Sequence, residues 1–152
     1  MGELMAVNTY DPKLVILTVG GAPISGYTDG TFISVERASD TFTKVVGADG
    51  NVSRAKSNDR SGTVKITLKQ TSPFNDILSG IASLDEMSNA GVVPISIIDL
   101  SGSTIMFMPS AWVKKPPTVE FGKEIGNREW VFDFDKCEFP TMVIGGNLPV
   151  GL

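Results

Sequence analysis

Apolar residues recur at every second position through most of the chain. In "TVKITLKQ", Val64, Ile66 and Leu68 fall on one side, and Thr63, Lys65, Thr67 and Lys69 on the other. In "EWVFDFDK", Trp130, Phe132 and Phe134 alternate with Val131, Asp133 and Asp135. "TFISVER" sets Ile33 and Val35 against Phe32, Ser34 and Glu36. A period of two is the mark of strands that bury one face. "KLVILTV" is apolar on both sides and reads as a fully buried strand. "VVPISII" and "STIMFMPSAWV" read as a hairpin closed by "DLSGS" at residues 99–103, where glycine supplies the positive φ of a tight turn.

One segment breaks this period. "SPFNDILSGIASLDEMSNAG" places Phe74, Ile77, Leu78, Ile81, Leu84 and Met87 at helical spacing. Ser72 suits the N-cap, Pro73 the first turn, and Asp76 the positive end of the helix dipole, with Gly91 as terminator. The sum is six to eight strands and one helix over about residues 73–90. The fold class expected is mainly β: a two-sheet β-sandwich or half-barrel with one flanking α-helix. No domain boundary or internal repeat interrupts the pattern, so residues 1–152 read as one domain with a loose tail at about 145–152.

Composition narrows the chemistry. Histidine is absent, which removes the usual general base and the usual metal ligand, and with them any Ser–His–Asp or Cys–His arrangement. The single cysteine, Cys137, can form no disulfide within the chain and reads as a small buried apolar residue. "VGG" and "IGG" lack the Lys-Ser/Thr of a phosphate loop. Asp133 and Asp135 share a strand face and could together meet a Ca²⁺ or Mg²⁺, but a solvated strand face is the favoured reading. The expectation is no enzyme, no cofactor and no metal. Lys114-Lys115 before Pro116-Pro117 read as a solvated strand end, and a net charge of −4 argues against a nucleic-acid-reading surface. The longest apolar runs, "LVIL" and "IMFM", fall far short of the roughly 20 residues that cross a membrane, and the N-terminus does not read as a signal peptide.

Residues 47–62, "GADGNVSRAKSNDRSG", stand apart. Val52 is the one bulky apolar side chain among glycines, serines, asparagines and basic residues. Such a stretch cannot be buried, and it reads as an extended loop between two strands. It also lies in the basic part of the chain. Residues 44–69 hold Lys44, Arg54, Lys56, Arg60, Lys65 and Lys69 against Asp49 and Asp59, a net of +4 within a total of −4, so the remainder carries −8. A positive arm on a negative body suits contact with another copy. An arm cannot dock on its own root, so that contact is head-to-tail and generates rings or filaments.

The stretch "GADGNVSRAKSNDRSGTVKITLKQTS", within residues 10–81, resembles the signature half of the bacteriophage tail-tube family of contractile-tailed phages. The rest, through "FDFDKCEFPTMVIGGN", fits in order and length. The resemblance implies a fold shared with type VI secretion tube proteins, in which six copies form a ring, rings stack into a hollow tube, and inner sheets join around the ring. It implies a structural virion protein that conducts DNA into the host without binding it specifically. The implied partners are other copies of itself and the tail sheath, baseplate and tape-measure proteins, with assembly in the host cytoplasm. The 47–62 stretch then reaches the adjacent ring, where Arg54, Lys56 and Arg60 supply salt-sensitive charged contacts and Asn58 and Asp59 shape a turn at the tip. The lumen would be lined by Lys65 and Lys69 set against Glu36, Glu129, Asp133 and Asp135, a balance that suits DNA sliding. The rival readings are a bacterial type VI-like tube protein and a free ligand-binding β-sandwich.

Overall fold

A computed structural model describes residues 7–146. Its strands are β1 (Val15–Val19), β2 (Ala22–Ile24), β3 (Ile33–Arg37), β4 (Phe42–Val46), β5 (Val52–Lys56), β6 (Gly62–Lys69), β7 (Val93–Asp99), β8 (Ile105–Lys115), β9 (Asn127–Phe134) and β10 (Met142–Val143). The helix α1 spans Phe74–Ser88, between β6 and β7. Eight strands make one antiparallel sheet in the order β2-β1-β7-β8-β9-β6-β3, with β10 alongside β8. Strands β4 and β5 make a second sheet of their own.

The large sheet curls into a half-barrel. Beyond β2, Tyr27 bridges to Leu68 of β6, and the Gly26 carbonyl accepts the Lys69 amide at 2.9 Å. One edge of the sheet thereby reaches back toward the other without closing. Inside the curl lie Leu17, Val19, Ile95, Ile97, Met108, Val64, Ile66, Leu68, Trp130, Phe132 and Phe134, all in one contiguous buried cluster. The alternation in β6 and β9 is therefore the alternation of inside and outside. The architecture is mainly β with one helix, and the half-barrel is the form it takes. The second sheet is the separate β4–β5 hairpin.

Strand β1 departs from its expected full burial. Leu17 and Val19 are buried, but Ile16 is 38% exposed. Only the short β2 lies beyond β1 in the sheet, and the outer face there is left uncovered.

The helix packs against β8 through a narrower stripe than its spacing suggested. Phe74, Leu78, Ile81 and Ala82 join the core, while Leu84 and Met87 face outward. At its start, buried Ser72 accepts the Phe74 amide at 3.3 Å and donates its hydroxyl to the Ser25 carbonyl at 3.1 Å. Its oxygen thus ties the helix start to the β2 side of the barrel. At the other end the left-handed residue is Asn89 (φ 58°), not Gly91. Gly91 is needed for closeness instead: a β-carbon there would collide with the Asp85 side chain and the Ile81 carbonyl. The buried Trp130 indole donates to Asn75 Oδ1 at 2.9 Å, joining β9 to the helix.

The 47–62 stretch is not loop throughout. Its middle, Val52–Lys56, is strand β5, paired residue for residue with β4 from Phe42↔Lys56 to Val46↔Val52. The expected tail at 145–152 falls largely outside the described residues.

Candidate assembly interface

The β4–β5 hairpin is an arm. It leaves the barrel after β3 and returns at the start of β6, and all ten of its strand residues are exposed. Among the described residues its strands pair only with each other. At its tip Asp49 accepts the Asn51 amide at 3.1 Å and the Asn51 side-chain amide at 2.7 Å, and Gly50 takes φ +87°. That is ordinary turn chemistry.

Asn58 and Asp59, expected at the tip, lie instead at the root. The Asp59 carboxylate accepts the Ser39 hydroxyl at 2.7 Å and the Ser61 amide and hydroxyl at 2.9 and 2.5 Å. Ser39 leads out to the arm and Ser61 leads back from it, so one carboxylate clamps both roots. The hydrogen bonds from Ser61, then Ser39, hold its pKa down at about 2. Arg60 is also a root residue, donating to the Ser57 carbonyl at 2.6 Å. Of the expected contact residues, Arg54 and Lys56 alone ride on the arm itself. The Arg54 guanidinium sits 3.9 Å from the centre of the Phe42 ring, a cation–π contact within the arm.

Gly62 marks the joint between arm and barrel. A β-carbon there would strike the Glu36 carbonyl and lie 2.7 Å from the Phe134 ring. Close packing of β3, β6 and β9 at the arm's root thus requires glycine. Nearby, Arg37 donates to the Cys137 carbonyl at 2.7 Å, and Cys137 is buried, its thiol pKa pushed up by desolvation.

The residues expected to line a lumen are brought onto one surface. Register places Glu36 beside Thr63 and Asp133, Ser34 beside Lys65 and Val131, and Thr67 beside Glu129, all on the outer side of β3, β6 and β9. Lys69 continues that face opposite Asn127, and Asp135 follows just past the end of β9. Asp133 is partly buried and accepts the Thr63 hydroxyl at 3.1 Å, a bond across the strand pair. Trp112 of β8 stands beside Asp133 in the register, and Lys114 lines a groove with Lys65 and Glu36. The signal for both was the alternation in "SAWVKK", which the apparent solvated lysine pair obscured. The face sets Glu36, Glu129, Asp133 and Asp135 against Lys65, Lys69 and Lys114, close to an even balance.

Residues 9–140 match the family described as the bacteriophage PhiTE tail tube protein. The chain belongs to this phage tail-tube family. It is also 30% identical over 151 residues to structural protein ORF10 of Pseudomonas phage KPP10, a match spanning 94% of this chain and 86% of that one. The fold is that of contractile injection systems. A chain of the extracellular contractile injection system PVC sheath–tube complex in its extended state superposes with a TM-score of 0.61 at 12% identity, over 97% of this chain and 98% of the other. The cap that terminates the anti-feeding prophage tube gives 0.59 at 10% identity, over 92% of each chain. The family is a structural one, and the arm and two-faced sheet are features of a phage structural protein.

Proposed function

We propose that the protein is the repeating subunit of a phage tail tube: sixfold rings stack into a hollow conduit that delivers DNA from the virion. The observation that carries this reading is the arm. A two-stranded hairpin with no sheet beyond it is at best marginally stable in water, so its place is against another molecule. Its exposed Val45, Val46 and Val52 support that use.

The rest of the fold supports the same assembly. Strand β3 ends the sheet order, so one of its edges has no strand partner among the described residues. Pairing such an edge with a neighbouring copy removes an exposed row of amides and carbonyls, which is what closing a ring of sheets accomplishes. The charge-balanced outer face of β3, β6 and β9 then lines the lumen. A strongly basic lining would hold DNA through phosphate contacts, and a balanced one lets it slide. The family match favours a phage tail over a bacterial secretion tube. The sheath encloses the tube, and the baseplate and tape-measure proteins meet its ends and interior.

Negative-stain electron microscopy of the purified protein tests the reading. Tubes with sixfold end views are expected from the intact chain. Folded subunits that stack poorly are expected when residues 43–55 are replaced by a short glycine turn. A strict monomer at high concentration, with no rings or tubes, would overturn it.

A further inference from the structure

We propose that the loop joining β8 to β9, residues 116–126, is the seat on which the arm of the next copy docks, with Val119, Phe121 and Ile125 receiving Val45, Val46 and Val52. The proposal rests on the tube reading and names the partner surface that the reading leaves open. All six side chains are more than half exposed, Phe121 at 79% and Val52 at 62%. Exposed apolar side chains gathered on one short loop and on one hairpin suit a contact between them.

Their positions are complementary. In the β6–β9 register, Gly62 pairs with Phe134 where the arm emerges, and Lys69 pairs with Asn127 where the loop ends. Arm and loop therefore lie at opposite ends of an eight-residue strand, roughly 23 Å apart along it. A contact between opposite ends of identical copies is heterologous, and it propagates into a stack.

The charges also oppose. The arm carries Lys44, Arg54 and Lys56 against Asp49, and the loop carries Glu120 and Glu124 against Lys123. The seat is braced from below. Pro116 and Pro117 restrict its entry, and the Phe121 ring packs 5.4 Å from the buried Arg128 guanidinium. A groove of about 480 Å³ opens beside it, lined by Pro117, Glu120 and Glu129 together with Lys65, Lys115 and Arg128.

The test is a two-cysteine chain, V52C with F121C, oxidised under assembly conditions and run on a non-reducing gel. Buried Cys137 stays out of the reaction. A ladder of covalent multimers extending well beyond dimers is expected, with each single-cysteine chain stopping at dimers. Absence of the ladder from chains that have formed tubes would overturn the seat. A second variant, F121S with I125S, should raise the concentration threshold for tube formation at least about tenfold while leaving circular dichroism unchanged. Assembly of that variant at the wild-type threshold would likewise overturn it. If the loop variant assembles normally while the arm-shortened chain does not, the arm docks elsewhere and the tube reading stands. If the unaltered chain forms no tubes, the tube reading falls and this one with it.

Discussion

Asp59 and Gly62 help to fix where the arm leaves the barrel. Gly62→Ala forces a β-carbon into the Glu36 carbonyl and the Phe134 ring, at a cost of about 1–3 kcal/mol, read as a lowered urea midpoint with unchanged slope. Asp59 has a distinct signature. Its folded pKa of about 2 lies below the ordinary 3.8, so the root clamp is intact above about pH 4 and is lost as pH falls through about 2. Carboxyl NMR titration should show this low midpoint, and S61A with S39A should move it back toward 3.8. An unshifted midpoint in the unaltered chain would mean the clamp is absent. The buried Cys137 thiol should react with a thiol reagent only when the chain unfolds.

At the scale of elements, the contrast between β6 and β5 shows what a sequence reveals. Val64, Ile66 and Leu68 were legible because one face of β6 meets a core, and the alternation records it. Val52–Lys56 was not, because neither face of β5 is buried against the core of its own chain, so its residues need not alternate. Burial writes the periodic signal, and an element that waits for another molecule carries none. The same reason hid Val119, Phe121 and Ile125. The choice of Asn89 over Gly91 was illegible for a different reason: either residue accepts a left-handed φ, and only the crowding at Asp85 shows why the glycine is needed. The arm's independence has a measurable consequence. Amides of residues 43–55 should exchange with solvent far faster than those of β6 and β9 in the free subunit, and should become protected in tubes. Equal protection in both states would mean the arm is stable by itself and gains nothing from assembly.

For the whole molecule, the balance of charge and apolar surface decides how assembly responds to salt. Charged docking through Arg54, Lys56 and Arg60 would weaken as salt screens it. Yet Arg60 is bonded to its own backbone, Arg54 leans on Phe42, and Val45, Val46 and Val52 add exposed apolar surface to the arm. Each subunit also carries −4, a mutual repulsion that salt relieves. The threshold for tube formation should therefore stay level or fall between low and about 1 M salt. A steep rise would show that ionic contacts dominate. In the lumen, E36K with D135K should leave tubes intact but slow DNA passage, read as lowered infectivity at unchanged tail length, since each added lysine offers phosphate a partner.

The placement of β6 bears on mechanics. It is hydrogen-bonded to β3 along five residues and to β9 along eight, and it joins the arm at one end to the seat side at the other. A pull on the arm is thus directed along the strand, so its flanking bonds are loaded together in shear, where they share the force, and are not peeled one at a time. Anchoring the arm to the start of a strand paired on both sides makes each subunit a tension member, and a stack of them a cable that resists stretching more than bending.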